Sequence, residues 1–292
     1  MRASFLWTAL GQTFNSWLNH DAPRLGAALA FYTIVSLAPL LVLVTAIVAL
    51  FFGQTTAQDQ ILYQVNAMIG RDGAVAVKTM IESAQKQEAG GLASIIGLIT
   101  LLLGASGVFG ELRSALNTVW EIKAQSTDGI LVWLTQRIFS FGMVLAIGFL
   151  LIVSLIISAA IAAAGNFFET LLPAPEAALG VINFAASFGA ITVLFALTFR
   201  YVPDVKIAWR EVWLGASVTA LLFTVGKTLI GLYLGKAAIG SAYGAGGSLI
   251  ALIVWVYYSS MIFLFGAEFT HVVYLQKRRA QAGTSIARTG VS

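Results

Sequence analysis

The stretch GSLIALIVWVYYSSMIFLFGAEFTHVV, residues 247–273, decides the fold class of this protein. It contains one carboxylate, Glu268, and no lysine or arginine. An apolar run of ~20 residues is long enough to cross a hydrocarbon core of ~30 Å as an α-helix. A transmembrane β-strand would alternate apolar and polar residues, and this stretch does not. We therefore predict that residues 247–273 form a membrane-spanning helix.

Five further runs have the same apolar character, at 28–53, 91–110, 138–164, 178–199 and 212–234. The chain of 292 residues is 59% hydrophobic and only 10% charged, whereas soluble proteins are about 25% charged. The composition therefore predicts an all-α integral membrane protein with six transmembrane helices. The six-helix domain is expected to cover residues 25–275.

Three segments flank or interrupt the predicted spans. Residues 1–24 are expected to form an interfacial helix, and its apolar face carries Leu6, Leu10, Phe14, Trp17 and Leu18. Within residues 54–90, two apolar helical stripes separated by GRDG (70–73) predict a short amphipathic helical hairpin on the outer face. Residues 276–292 are expected to be a short basic cytoplasmic tail.

The distribution of positive charge predicts the orientation. With six spans both termini share a side, and twelve of the seventeen Lys and Arg residues fall there: Arg2, Arg24, Arg113, Lys123, Arg137, Arg200, Lys206, Arg210, Lys277, Arg278, Arg279 and Arg288. Four fall on the other side: Arg71, Lys78, Lys86 and Lys236. The positive-inside bias predicts that both termini are cytoplasmic. This sidedness accounts for the pI near 9.4, so no nucleic-acid partner is expected.

Lys227 is the one lysine or arginine inside a predicted span, in FTVGKTLIG (223–231). The segment is similar to the end of a phosphate-binding loop, but Leu221 stands where such a loop needs glycine. A lysine at the bilayer centre costs about 2.5–3.5 kcal/mol. It therefore either faces a hydrated cavity or extends along the helix to the outer head groups. Both interpretations stay open.

A cavity beside Lys227 would be lined by polar side chains of neighbouring spans. The candidates for this substrate path are Lys227, Tyr257, Tyr258, Asn183, Ser187, Ser36 and Pro39. Tyr257 and Tyr258 are expected level with Lys227 in an antiparallel helix pair. Pro39 would weaken the first span and widen the cavity below Lys227, on the side of the termini.

The segment AYGAGGS (242–248) leads into the sixth span and is the candidate mouth of this path. Unpaired N–H groups at a helix start favour an anion. The residues proposed for the anion are Lys236, Gly246, Gly247 and Ser248. The alternative is a tight turn with close helix packing.

A group of polar residues is expected at the cytoplasmic face. Glu268, Arg200 and Asp204 are predicted to take part in charge pairing there, and the loop 200–206 either pairs in solvent or holds anionic lipid. His20 and His271 are expected at the same edge, close to Asp21 and Glu268. Their spacing matches no metal-ligand motif, and the chain has no cysteine, so neither a metal nor another cofactor is predicted.

Four stretches together resemble a known family: AALAFYTIVSLAPLL (27–41), GVFGELRSALNTVWEI (107–122), FRYVPDVKIAWREVWLGA (199–216) and AYGAGGSLIALIVWVYYSSMIFLFGAEF (242–269). They are similar to the YihY/BrkB family of bacterial inner-membrane proteins, formerly labelled ribonuclease BN. The resemblance implies a six-helix membrane fold in the bacterial cytoplasmic membrane, a virulence role in some members, and export of lipid precursors. It brings no catalytic residues with it.

These observations favour a transporter of an amphipathic or anionic, lipid-like substrate through a helix-lined cavity. The alternative is a membrane scaffold or assembly protein, in which Gly231 and Gly235 form an association face. A membrane-bound ribonuclease is less favoured because the chain has no clustered metal ligands. The expected partners are membrane lipids and, in a homo-oligomer, a second copy of the chain.

Overall fold

The computed structural model describes residues 3–86, 107–122, 176–236 and 247–289. All regular structure in these ranges is helical. We number the helices α1 (Ala3–Asn19), α2 (Ala22–Phe52), α3 (Gln54–Ile69), α4 (Arg71–Lys86), α5 (107–119), α6 (Glu176–Tyr201), α7 (Trp209–Lys236) and α8 (Gly247–Thr289). The predicted span 138–164 and most of the span 91–110 lie outside the described residues.

Two of the described helices contain segments long and apolar enough to cross a membrane, Trp209–Tyr233 and Gly247–Arg279. Shorter apolar segments occur at Ala22–Leu37 and Ser187–Tyr201. In an apolar 18-residue window of each long segment, only 33% and 28% of the window is buried, whereas a core helix of a soluble protein would be mostly buried. Exposed apolar surface of this extent fits contact with lipid. That the chain crosses the membrane six times stays a prediction.

The largest buried core joins five helices and a loop at one end of the bundle. Its members come from α2, α5, α6, the loop 202–208, α7 and α8, and include Leu25, Leu116, Val119, Phe199, Ile207, Val212 and Leu264. The turn between α1 and α2 lies at this end, which we call the His20 end. Several core residues are 0% exposed, so the apolar area buried here is a main source of stability.

Helix α1 packs on the last part of α8 through a small apolar contact. Ala9 is buried in a cluster with Phe269, and α1 and α8 are also joined by a hydrogen bond from Gln276 Nε2 to Gln12 Oε1 at 2.7 Å. Part of the predicted apolar face points away, since Leu10, Phe14 and Leu18 are exposed, whereas Trp17 packs against the core. That arrangement leaves this part of the face free for the membrane interface.

The turn between α1 and α2 contains residues typical of a helix start but no side-chain capping hydrogen bond. Asp21 occupies the N-cap position and Pro23 lies in the first turn of α2. Asp21 has a left-handed backbone with φ of 52°, and its side chain makes no capping hydrogen bond. Its carboxylate lies 3.8 Å from Arg24 Nε instead. Helix α2 then continues through Pro39 to Phe52.

The predicted hairpin is formed by α3 and α4, each of sixteen residues. They join at Gly70, whose φ of 87° lies in the left-handed region that glycine adopts without strain. The helix resumes at Arg71. The interruption is therefore one residue long and not the four residues 70–73 that the GRDG motif suggested.

The hairpin packs against the side of α2, and its position on the outer face of the membrane stays a prediction. Ala76 of α4 is buried in a cluster with Ala30 of α2, while Val77 is buried with Leu41. Ala30 and Leu41 are separated by ~16 Å along α2 at 1.5 Å per residue. Helix α4 also contacts α8. The hairpin thus fills the side of the bundle between these two helices.

Helices α7 and α8 meet through two copies of one short pattern, GASVT (215–219) and GAEFT (266–270). A Cβ on Gly215 would overlap the side chain of Thr270, and a Cβ on Gly266 would overlap that of Thr219. Each threonine hydroxyl donates to the carbonyl of the glycine four residues earlier. The two glycines therefore let the helices approach closely, and the antiparallel register is set by this reciprocal contact.

Candidate functional site

The register of α7 and α8 places Lys227 beside a tyrosine. A Cβ on Gly226 would lie 3.1 Å from Tyr258 Cε1 and 3.2 Å from its hydroxyl oxygen. Lys227, the next residue, is half-buried in α7. On α2, Gly26 faces Tyr257 Cε2 at 3.6 Å. The two consecutive tyrosines of α8 therefore contact different helices at the level of Lys227.

The remaining substrate-path candidates lie at other levels or on other surfaces. Ser36 is buried in α2, where its hydroxyl donates to the Tyr32 carbonyl. Ser36 lies ten residues beyond Gly26, or ~15 Å of helix, and Pro39 lies one turn further. Pro39 was expected to widen the cavity between Lys227 and the His20 end. It lies instead on the other side of the level of Lys227, farther from the His20 end. Ser187 is exposed on α6, and Asn183 belongs to the same helix.

The residues of the predicted anion mouth are described only in part. Lys236 is the last residue of α7 and Gly247 the first described residue of α8. Gly247 is buried and Ser248 half-buried. Gly246 lies outside the described residues. The antiparallel packing places the end of α7 and the start of α8 at the same end of the bundle. Because the segment between them is not described, the anion mouth stays a prediction.

The loop 202–208 is fastened to α5 by a charged network. Arg113 Nε donates to Asp204 Oδ2 at 2.9 Å, and a second guanidinium nitrogen bonds Oδ1. Asn117 Nδ2 donates to Asp204 Oδ2 at 2.7 Å, while the backbone N–H of Asp204 donates back to the Asn117 oxygen. Burial raises the pKa of Asp204, but the bonds from Arg113 and Asn117 outweigh it and leave that pKa below its usual value.

Arg200 also holds this loop in place, through a bond to a backbone carbonyl and through contacts with two aromatic rings. One guanidinium nitrogen bonds the carbonyl of Ile207. The guanidinium carbon lies 4.9 Å from the ring centroid of Trp209 and 5.6 Å from that of Tyr201. Such distances fit a cation–π contact. Arg200 and Asp204 therefore have different partners, and Glu268 makes a separate contact, described next.

Glu268 forms the second polar contact at the His20 end. Its side chain is 0% exposed. Its Oε1 lies 2.6 Å from His20 Nδ1, in the turn between α1 and α2. Within the described residues, Oε2 has no hydrogen-bond partner. Because a buried carboxylate is costly without compensation, this one histidine carries much of the stabilisation of Glu268.

Two further side chains surround the pair. Glu121, which follows α5 with φ of 53°, brings its Oε1 to 4.0 Å from His20 Nε2 and is 69% exposed. His271 is buried one turn after Glu268, with its ring 4.8 Å from that of Trp120. Across the described ranges, no three His, Asp or Glu residues form a group suited to hold a metal ion. The cluster is therefore a chain of pairwise contacts.

Sequence reasoning missed Arg113, Asn117 and Glu121. A signal for the first two was present, because they lie four residues apart in α5, beside the apolar stripe that packs in the core. Their partner Asp204 is 87 and more residues away, and no local pattern connects such positions. Glu121 carries no signal, because its place depends on the left-handed turn that ends α5.

Exposed apolar helices, joined at one end by one buried and one exposed polar contact, are consistent with a helical membrane protein. Residues 13–289 match the model of the family described as Virulence factor BrkB. The chain belongs to this family, and the resemblance found in the motifs is confirmed. No solved structure matches the chain.

Individual relatives agree with this assignment. The chain is 29% identical over 91% of its length to a "UPF0761 membrane protein" of Verminephrobacter eiseniae and 31% identical over 84% to one of Pseudoalteromonas atlantica. It covers 62% and 74% of these two relatives, and 57% of a further one from Alkalilimnicola ehrlichii. A ribonuclease-like protein of Bacillus subtilis, YfkH, is 23% identical over 92% of this chain and 96% of its own length.

Proposed function

We propose that this protein moves an amphipathic or anionic, lipid-like substrate across the bacterial inner membrane, through a helix-lined cavity beside Lys227. The supporting observation is a half-buried lysine within an apolar helix long enough to span the membrane. Ionisable residues in such helices usually face the bundle interior or water and belong to a substrate or ion path. Lys227 would attract an anionic head group.

The surroundings of Lys227 support an amphipathic substrate. Tyr257 and Tyr258 contact α2 and α7 at this level and supply hydroxyl groups next to small residues. On α7, the neighbouring Val225 and Leu229 are exposed. A head group could therefore approach Lys227 and the tyrosines while acyl chains stay along the apolar outer face of α7. This arrangement separates the polar and apolar parts of one molecule.

The test is a lipid translocation assay with the full chain in liposomes that contain fluorescent phosphatidylglycerol. A membrane-impermeant quencher measures the rate at which the label moves between leaflets. Lys227→Met keeps most of the side-chain volume and removes the charge, so we expect the protein-dependent rate to fall about tenfold or more, since a lost charge-assisted contact is worth roughly 1.5–3 kcal/mol. The control is Lys78→Met, which removes an exposed lysine paired with Glu82 in α4.

Equal rates for Lys227→Met and the unaltered protein would contradict the proposed path. Equal rates for protein-containing and empty liposomes would show that phosphatidylglycerol is not moved. The assay would then be repeated with lysophosphatidic acid, which has the same anionic chemistry and one acyl chain.

We also propose that both termini are cytoplasmic and that the α3–α4 hairpin is external. The support is the excess of Lys and Arg on the side of the termini. Single cysteines at Gln58 and Gln281 can be labelled in intact cells with an impermeant maleimide, because the chain has no cysteine. We expect Gln58→Cys to react from outside and Gln281→Cys only after permeabilisation. External labelling of both would refute this topology.

A scaffold role is the second candidate, and Gly231 favours it. In the described structure a Cβ on Gly231 would meet no atom within 4 Å, and the neighbouring Leu232 and Tyr233 are exposed. This surface would serve as a helix association face. Gly231→Leu would then reduce cross-linked dimers in membranes while Gly110→Ala, at another open glycine, would not. A chain that stays monomeric in both forms would exclude this role.

We propose that the protein is not a ribonuclease. His20 is engaged with Glu268, and the ribonuclease-like name belongs to a relative only 23% identical. Any nuclease activity in a purified sample should therefore be unaffected by His271→Ala. A metal-dependent activity that this substitution abolishes in folded protein would overturn the proposal.

A further inference from the structure

The contact between Glu268 and His20 is one part of a line of titratable groups that runs from the surface into the bundle. Glu121 is 69% exposed, His20 is 20% exposed and Glu268 is 0% exposed. They come from three separate parts of the chain and are connected by distances of 4.0 Å and 2.6 Å. Chains of carboxylates and histidines in membrane helices are typical of proton relays.

The geometry defines the hydrogen positions when Glu268 is ionised. A carboxylate only accepts, so Nδ1 of a neutral His20 must carry the proton and donate it to Oε1. The other ring nitrogen, Nε2, then has a free lone pair and faces Glu121. Within the described residues Oε2 of Glu268 has no partner, so the buried carboxylate is stabilised from one side only.

We propose that Glu268 is a proton-binding site that is filled from the His20 end through His20, with Glu121 at the entrance. A hydronium ion gives its proton to Nε2 of His20 and leaves water. The Nδ1 proton then passes to Oε1 of Glu268. The products are a neutral glutamic acid and a neutral imidazole with its hydrogen on Nε2. Release of the proton by the reverse steps, from Oε1 of Glu268 to Nδ1 and from Nε2 to water, restores the starting tautomer.

The other charged groups nearby do not lie on this line. His271 is buried and lies against Trp120, with ring centroids 4.8 Å apart and an angle of 44° between the rings. Asp21 and Arg24 lie at the surface, 3.8 Å from each other. On α7, the residues facing this part of α8 are Gly215 and Thr219, which carry no charge. Glu121 and His20 are therefore the groups that connect Glu268 to solvent.

Protonation changes how the helices are joined. An ionised Glu268 holds the turn between α1 and α2 against α8 by a charge-assisted hydrogen bond, whereas a protonated one keeps a weaker neutral bond. The α7–α8 contact at Gly215 and Gly266 lies on another side of α8. It includes no charged side chain, so protonation of Glu268 leaves it unchanged. A bound proton would be the coupling ion of the proposed transport. The role of the proton as a coupling ion rests on the proposed transport function, whereas the proton-binding site does not.

The test measures proton binding without any substrate. The full chain in nanodiscs of phosphatidylcholine, which contain no anionic lipid, is cycled between about pH 5 and pH 9, a range centred near the unperturbed pKa of histidine. Infrared difference spectra then record the C=O absorption of protonated carboxyl groups. We expect one such band to be absent from Glu268→Gln, an isosteric neutral variant. The control is Glu211→Gln in the first turn of α7, which should keep the band.

A second variant tests the path. Glutamine at position 20 can still donate to Glu268 but cannot relay a proton, so His20→Gln should fold and keep the band. After a pH jump, we expect the band to appear at least about tenfold more slowly, since a positioned histidine typically accelerates proton transfer by 10²-fold or more. Glu121→Gln should slow it less.

Two results would overturn the proposal. A band that persists in Glu268→Gln would show that Glu268 does not bind the proton. An unchanged rate in His20→Gln would show that the proton does not pass through His20. Because no lipid substrate is used, either result leaves the translocation assay on Lys227 standing, and a failed translocation assay leaves this proton site standing.

Discussion

The His20 end of the bundle and the region around Lys227 are held together by different kinds of contact. At the His20 end, a core joining five helices is supplemented by two polar contacts, Glu268 with His20 and Asp204 with Arg113. Around Lys227, the described contacts join smaller clusters in which Ile230 and Leu252 are buried among apolar neighbours.

This difference indicates which part of the protein is fixed and which part can move. Hydrogen bonds and ion pairs have defined distances and directions, so they hold helices in one arrangement. Apolar contacts are non-directional and tolerate small shifts between helices. We therefore expect the His20 end to act as the rigid base and the half with Lys227 and the α3–α4 hairpin to change shape when a substrate passes.

The largest expected effect is at the buried carboxylate. His20→Leu leaves Glu268 without its partner, and breaking a buried pair from one side costs about 3–5 kcal/mol. At neutral pH the midpoint of thermal unfolding in detergent should therefore fall sharply. The double variant with Glu268→Gln should recover part of the loss, because no buried charge remains. If His20→Leu alone has no effect, the pair does not fix this end.

The next effect is at the α7–α8 contact. Gly215→Ala places a Cβ against Thr270, whose Cα lies 3.2 Å away and cannot rotate aside. Overpacking of this kind costs roughly 1–3 kcal/mol. The matched control is Gly231→Ala in the same helix, where nothing lies within 4 Å in the described structure. That change should be neutral or stabilise by up to about 1 kcal/mol. Equal midpoints for the two variants would contradict the close approach.

The Asp204 contact should contribute less because it is partly exposed. Asp204→Asn removes the ion pair with Arg113, and such pairs are worth about 0.2–1 kcal/mol. The pKa of Asp204 is lowered in the folded protein, so its contribution is complete above the unfolded value and is lost as pH falls through the folded value.

Thermal midpoints of Asp204→Asn and the unaltered protein, measured from neutral pH down to about pH 3, should therefore come closer together at the acid end, since the contribution begins to be lost below the usual pKa of aspartate. Asp59→Asn on the exposed side of α3 serves as the control. A difference between Asp204→Asn and the unaltered protein that stays constant over this range would contradict the assignment.

The smallest effect on stability is expected at Lys227. It is half-buried in the less tightly fixed half of the bundle, so Lys227→Met should change the unfolding midpoint very little while it reduces lipid translocation. This combination would sharpen the contrast, because the His20 end would affect stability and Lys227 would affect transport. A large loss of stability in Lys227→Met would instead assign Lys227 a structural role.

Much of the fold could be predicted from local pattern. The apolar runs indicated long helices, and GRDG indicated the break at Gly70, since glycine is favoured where φ is positive. The motifs also identified the family. These features depend on residues close together in sequence. The packing of the hairpin against α2 and α8 was not predictable, because it depends on contacts between residues far apart in sequence.

The composition and periodicity of this sequence by themselves determined that the protein is helical and belongs in a membrane, because burial of backbone polar groups in lipid permits little else for such apolar runs. Only the tertiary structure decided which polar residues meet. His20 and Glu268 are separated by 248 positions, and their contact depends on the packing of α1 and α2 against α8 and on the turn after α1. A buried charge takes its partner from whatever the packing brings within hydrogen-bond distance, so that choice is made in three dimensions.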